Sequence, residues 1–236
     1  MRIVCISDTH NLLHKIAVPD GDLLVHAGDL TRRGRRAEIY AAYKALSNLP
    51  HARIVVTPGN HDFGFEQSPD LVAELHTAFP RIETLIDAAT TVDGLRLYAS
   101  PFQPWFYDWA FNFLPGPPGV KQAEEKWAEI PGDTAILITH GPMYGVLDET
   151  RAGEHAGCPA LKARIAQLRQ LRFHIFGHIH EAHGTQVVGS VLHVNASICD
   201  VDYVPNHEPI VLDTRAFPAL SSLPASGTPP GRDNKE

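Results

Sequence analysis

Carboxylates and imidazoles recur at one kind of place in this chain, directly after short apolar runs. Asp8-Thr9-His10 follows Ile3, Val4, Cys5 and Ile6, and Gly28-Asp29 follows residues 23–27. Gly59-Asn60-His61-Asp62 follows 53–57, His140-Gly141 follows 135–139, and Gly177-His178-Ile179-His180 follows 173–176. An Asp before a turn residue is common punctuation, and one such motif would mean little. Five of them describe a donor set. Carboxylate, imidazole and amide groups without thiolate suit divalent Mn, Fe or Zn. Gly28, Gly59, Gly141 and Gly177 beside the donors suit a close approach of backbone to a bound group.

The elements that must position these donors follow from the apolar runs. Short, continuous, β-rich segments read as strands buried on both faces, as in a parallel sheet covered by helices. In open α/β sheets, ligands collect at the carboxyl ends of the strands, where all five motifs fall. Helical spacing predicts helices over 37–49, with Ile39, Tyr43, Leu46 and Leu49 on one face, and over 69–79, 120–129 and 159–171. Shorter strands are predicted at 82–86, 91–92 and 95–99 around an Asp93-Gly94 hairpin. Others fall at 185–188 and 191–194 around Gly189-Ser190, and at 210–212.

Two further stretches bear on a substrate. Arg32-Arg33-Gly34-Arg35-Arg36 precedes the first helix, where cations oppose the helix dipole unless an anion joins them. Arg33 is therefore a candidate substrate contact, against the plainer reading of a solvated basic corner. Residues 100–119 hold five prolines with Trp105, Phe106, Tyr107, Trp109, Phe111 and Phe113. So long a loop inside a compact domain is usually functional. Trp105 and Phe106 are expected to line a cleft and stack on a base, against rings that only pack the loop down. His14, on the loop after the first strand, reads as a solvated histidine against a substrate contact, and His183 and His193 fall outside the donor pattern.

The chain of 236 residues, 44% hydrophobic, fits a single domain, expected over 1–217. Residues 218–236, rich in Ser, Pro and Gly, read as a disordered tail. A net charge of −7 argues against nonspecific nucleic-acid or membrane-surface binding, both of which need a basic face. Cys5, Cys158 and Cys199 match no zinc or redox spacing and read as reduced structural thiols. With no apolar leader and no run near the ~20 residues needed to span a bilayer, a cytoplasmic protein is expected.

In order and spacing, the five motifs resemble the signature of the calcineurin-like metallophosphoesterases. Cys5-Ile6-Ser7-Asp8-Thr9-His10, Gln103-Pro104-Trp105-Phe106-Tyr107 and Asn195-Ala196-Ser197 narrow the likeness to the metallophosphoesterase-domain (MPPED) class III phosphodiesterase subgroup. The resemblance implies a four-layer α/β/β/α sandwich of two mixed β-sheets flanked by helices, with a dinuclear metal centre at the sheet edge. It assigns one ion to Asp8, His10, Asp29 and His180, and the other to Asp29, Asn60, His140 and His178, with Asp29 bridging. His61 matches the histidine that acts on the leaving-group oxygen. Arg32 stands where the related Ser/Thr phosphatases carry an aspartate that orients this histidine, which leaves His61 without an assigned orienter.

The resemblance implies hydrolysis of a small-molecule phosphodiester, with nucleotides and cyclic nucleotides among the candidates. Two divalent ions sharing Asp29 would lie ~3.5–4 Å apart, and a hydroxide between them would attack in line. Asn60 and the ions would hold the phosphoryl oxygens while His61 protonates the departing alkoxide. Manganese is the ion expected to support activity in vitro. The alternatives are a phosphomonoesterase or protein phosphatase, and a non-catalytic scaffold on the same fold. The sequence carries no signal for oligomeric state.

Overall fold

Apolar side chains on both faces of the short strands force a layered arrangement, and the computed structural model shows one across the residues it describes, 1–216. The expected domain limit at 217 and tail from 218 lie outside the described residues. In chain order the elements are β1 (Arg2–Ile6), β2 (Leu23–His26), α1 (Arg36–Ser47), β3 (Arg53–Val56), α2 (Gly64–Gln67), α3 (Leu71–Ala78), β4 (Ile82–Thr84), β5 (Ala88–Val92) and β6 (Leu95–Ser100). There follow α4 (Pro117–Ala128), β7 (Ile136–Thr139), α5 (Pro159–Ile165), β8 (Phe173–Phe176), β9 (Gly184–Val188), β10 (Val191–Asn195) and β11 (Ile210–Asp213).

The strands form two mixed sheets, one ordered β11-β1-β2-β3-β4 and the other β5-β6-β7-β8-β10-β9. β1 through β4 run parallel, and β11 closes the first sheet antiparallel to β1. The second sheet has a parallel centre, β6-β7-β8-β10, with antiparallel β5 and β9 at its edges. Alternate residues divide between layers. Ile3, Cys5, Leu23 and Val25 meet Ile136, Ile138, Phe173 and Ile175 between the sheets. Val4, Ile6, Leu24 and Ile54 turn outward onto Ile39, Tyr43 and Leu46 of α1 and Leu71 and Leu75 of α3. On the other side Tyr98 and Leu137 pack with Ala123 and Trp127 of α4 and Leu161 of α5. This is the four-layer α/β/β/α sandwich.

The register sets up the site. Ile6 lies opposite His26 and His26 opposite Val56, so β1, β2 and β3 end level. The two sheets are stitched at this end, where Ser7 bridges Ser197 and the Ile198 N–H donates to the Ser7 carbonyl at 2.9 Å. The motifs that follow β1, β2, β3, β7 and β8 therefore emerge along one seam.

Some expected boundaries differ. α2 is a single turn that no periodicity announces. α4 begins earlier than expected, at Pro117, because proline fits the first helical turn. The helix expected over 159–171 ends at Ile165, after which tight i→i+3 bonds at Gln167 and Leu168 bury Leu168 and lead into β8. Cys5, Cys158 and Cys199 are free and buried. No helix among the described residues is long and apolar enough to cross a membrane. The inter-sheet layer carries the stability that holds the seam together. Ile138→Ala should cost about 2–5 kcal/mol by removing a fully buried side chain, read as a lower urea midpoint with unchanged slope.

Candidate metal centre

The donor residues occupy unusual backbone. Asp8 (φ 52°), His10 (43°), Asp29 (55°) and His178 (69°) all sit in the left-handed region, which non-glycine residues rarely enter and which functional sites retain when surrounding structure enforces it. Each is the residue that must swing a side chain back over a strand end. Close approach accounts for two glycines: a Cβ at Gly177 would run into the Asp8 carboxylate, and one at Gly59 into that of Asp29.

Three overlapping triads result: Asp8, His10 and His180; His10, Asp29 and His61; Asp8, Asp29 and His140. Within each, the potential ligand atoms lie within 4.8 Å of one another. Asp29 belongs to two and presents its oxygens in different directions. Oδ1 is 3.5 Å from His140 Nε2, and Oδ2 is 3.8 Å from the Nε2 atoms of both His10 and His61. Asp8 Oδ1 is 3.3 Å from His180 Nε2. Asn60 Oδ1 lies 2.9 Å from His140 Nε2. His178 stands beside the triads, its ring centroid 5.0 Å from that of His140, and its N–H donates to both Asp8 oxygens. All seven sequence-derived ligand candidates and His61 are thus brought together.

The imidazoles are aimed by the backbone. His10 Nδ1 faces the Thr31 carbonyl (3.2 Å), His61 Nδ1 that of Arg32 (2.8 Å), His140 Nδ1 that of Ala27 (3.0 Å) and His180 Nδ1 that of Asp200 (2.8 Å). A carbonyl can only accept, so each Nδ1 carries the proton and each Nε2 turns inward. His10 and His180 bring their Nε2 atoms to 3.3 Å of each other beside the Asp8 carboxylate. Converging lone pairs beside two buried carboxylates fit divalent cations, with Nδ1–H held by carbonyls as is usual around metal-binding histidines.

Electrostatics agree. Burial opposes ionisation of Asp8 and Asp29, yet the neighbouring histidines hold both well below the ordinary carboxylate range. Without ions, protons substitute for them: burial works against it, but Asp29 pushes His140 up to about 9, and the Asp8 hydrogen bond and charge do the same for His180. Burial pulls His10 down to about 4 and His178 to about 3, so these stay neutral.

Several contributors carry no legible signal or a weak one. Asp62 belongs to the Gly59-Asn60-His61-Asp62 motif without being assigned a task. Its buried carboxylate accepts from Leu30 N, Thr31 N, Thr31 Oγ1 and Gly59 N at 2.7–3.1 Å, clamping the β2 and β3 loops together. Ser197 Oγ donates to Asp8 Oδ2 at 2.9 Å. Tyr203 places its hydroxyl 3.4 Å from His61 Nε2, and its ring lies 4.7 Å from that of His10.

The expected substrate contacts divide. Arg33 borders a cleft of about 630 Å³ with Arg32, Arg35, His61, Phe63, Trp109 and Tyr203. Phe106 stands perpendicular to His178, with centroids 5.8 Å apart. Trp105 turns away to line a separate apolar cavity with Phe113, Leu114 and Val120, and the ring against His61 is Trp109, at 4.1 Å. His183 bonds the Glu208 carbonyl and His193 faces His174, both away from the donors.

A family model described as calcineurin-like phosphoesterase matches residues 1–182. Metallophosphoesterase domain-containing protein 1 of Homo sapiens is 39% identical over 233 residues, covering 90% of this chain and 70% of that protein, and the Mus musculus protein of the same name matches equally. The crystal structure of TT1561 from Thermus thermophilus aligns with a TM-score of 0.58 at 13% identity, over 82% of this chain and 88% of that one. That last likeness concerns the fold alone.

Two outcomes follow from the geometry. Asp62→Ala strands buried donors at roughly 1–3 kcal/mol each, so it should lose at least about 3 kcal/mol in urea unfolding. Ions must displace the protons that His140 and His180 hold below about 9. Titration of metal-free protein with Mn²⁺ at pH 7, in buffers of different ionisation enthalpy, should show proton release, with affinity climbing as pH rises towards that value.

Proposed function

This chain belongs to the calcineurin-like phosphoesterase family, and on that premise we propose that it hydrolyses phosphodiester bonds at a dinuclear metal centre. The observation that carries the reading is the convergence of the His10 and His140 Nε2 atoms on different oxygens of Asp29. We assign one ion to Asp8, His10, Asp29 and His180, and the second to Asp29, Asn60, His140 and His178. Manganese is our choice for activity in vitro. Two divalent ions held there would acidify a shared water from a pKa of about 15.7 towards ~7 and draw the phosphate's negative charge.

The chain's own groups do the rest. The Asn60 amide sits where it can hold a phosphoryl oxygen. His61 is the proton donor to the leaving oxygen: its Nδ1–H is fixed by the Arg32 carbonyl, and its Nε2, 3.8 Å from Asp29 Oδ2 and 3.4 Å from the Tyr203 hydroxyl at the edge of the cleft, would carry the proton that is given up. The residue that replaces the protein phosphatases' orienting aspartate thus orients the histidine through its main chain. That arrangement leaves a basic wall where those enzymes have an acid, and we favour a small diester over a phosphoprotein. Base stacking falls to Trp109 and Phe106, not to Trp105 in its separate cavity. Retention of every candidate ligand and of His61 favours an enzyme over a scaffold. Three buried free thiols accord with the reducing cytoplasm.

Hydrolysis of bis-p-nitrophenyl phosphate with added Mn²⁺ tests the activity, and no turnover with any divalent ion would favour the scaffold. Asp29→Asn should lower metal content at both positions, whereas His140→Ala should chiefly empty one; two ions retained in Asp29→Asn would contradict the bridge. His61→Ala should keep both ions and lose roughly 10²- to 10⁴-fold in rate on an alkyl leaving group. The defect should shrink on p-nitrophenyl esters, whose leaving group departs almost unaided. Equal losses on both would exclude the donor role.

A further inference from the structure

We propose that the arginine-lined cleft beside His61 receives the leaving alcohol of the substrate, and that this alcohol carries both an aromatic ring system and a phosphate of its own. The proposal rests on the hydrolase reading above and names the substrate class.

Direction comes first. If His61 protonates the leaving oxygen, whatever is attached to that oxygen must occupy the space next to His61 on the side away from the metal ligands. That space is the cleft of about 630 Å³ between the start of α1, Trp109 and Tyr203. Its size suits a nucleoside monophosphate. One wall is aromatic: the Trp109 ring lies 4.1 Å from His61 and 5.5 Å from Phe63, so the surface leading outward from the proton donor is a stacking platform. Base stacking on such rings is sequence-tolerant.

The other wall is cationic. Arg32, Arg33 and Arg35 all line the cleft, and among the described residues none of their guanidinium groups pairs with a carboxylate, although the Arg32 guanidinium lies over the Tyr203 ring. Arg36, the next residue, is by contrast neutralised by Glu74. Arg35 is the N-cap of α1, where the Glu38 carboxylate accepts from its main-chain N–H at 3.0 Å, so the guanidinium groups and not the helix end supply the positive charge of this wall. Three guanidinium groups without a carboxylate partner along one wall, all on exposed residues and one stacked on Tyr203, make a local anion site in a chain of net charge −7. Guanidinium matches phosphate by paired, parallel hydrogen bonds. The scissile phosphate is placed at the metal centre, so the anion held here is a second one.

The reaction balances with one water. Its oxygen bonds to phosphorus, and the bond from phosphorus to the leaving oxygen breaks with its electron pair staying on that oxygen. The leaving oxygen takes the proton from His61, and the water's proton restores His61 for the next turnover. In a 3′,5′-dinucleotide with a 5′-terminal phosphate, departure of the 3′-oxygen gives two nucleoside monophosphates.

The test compares adenylyl-(3′→5′)-adenosine with its 5′-phosphorylated form on the Mn²⁺-loaded enzyme. Wild type should show at least a tenfold higher kcat/KM for the phosphorylated dinucleotide. In Arg33→Ala/Arg35→Ala, both exposed positions, that ratio should fall to about one. A wild-type ratio near one, or a ratio unchanged in the double variant, overturns the proposal. A ratio within each variant is insensitive to any general loss of activity. Calorimetry of AMP binding to metal-free protein supplies an arm that needs no turnover: affinity should drop at least tenfold in the double variant and in Trp109→Ala, and equal affinities overturn the proposal. Failure of the hydrolase reading shows separately, as absent turnover of bis-p-nitrophenyl phosphate with every ion while AMP binding still reports on the cleft.

Discussion

Two ionised carboxylates, Asp8 and Asp29, are buried side by side, and among the described residues only histidines form ion pairs with them. Charges removed from water cost several kcal/mol each unless compensated, and most of the architecture around them serves that compensation. His178 N–H and Ser197 Oγ donate to Asp8, and His61 N–H donates to Asp29 Oδ1 at 2.8 Å. The imidazoles come next, each turned inward by a backbone carbonyl. The remaining negative charge is what raises the proton affinity of His140 and His180, and divalent cations would fit the same place.

The same constraint explains the backbone. A side chain that leaves the end of a parallel strand ordinarily points onwards, away from the seam. Left-handed conformations at Asp8, Asp29 and His178 turn it back, and glycines at 59 and 177 leave room for the carboxylates that result. Strain here is sustained by the packed sheets beneath, because the inter-sheet layer fixes where β1, β2 and β8 end. Asp62 transmits that fixity sideways, binding the loop after β2 to the loop after β3, so that Asp29 and Asn60 hold a set distance.

Much of this was legible in the sequence, for identifiable reasons. Apolar runs ending in Asp, Asn or His encode both a strand and the location of its donors, and the five runs mark the seam residue by residue. The pairing of β11 with β1 carries no comparable signal, because a four-residue strand about 200 positions away has no periodicity that names its partner. The aromatic loop shows the limit more sharply. Composition identified a ring-rich stretch, but which ring meets the site depends on the path of the loop, which turns Trp105 outward and brings Trp109 against His61. The orienter of His61 was invisible in principle, since a main-chain carbonyl has no residue type to read. Tyr203 was equally hidden, 142 positions from the histidine it meets.

The loop from Asp200 to Asn206 has a bearing on biosynthesis. Its Asp200 carboxylate gathers Asp202 N, Val204 N and Asn206 Nδ2, while the Asp200 carbonyl holds His180 and Tyr203 covers His10. A growing polypeptide presents Asp8, His10, Asp29 and Asn60 to the cell long before these late residues leave the ribosome. The early fragment holds several of the candidate donors but lacks the piece that aims His180. The aim of His180 is thereby completed only when residues from both ends of the described chain have folded together.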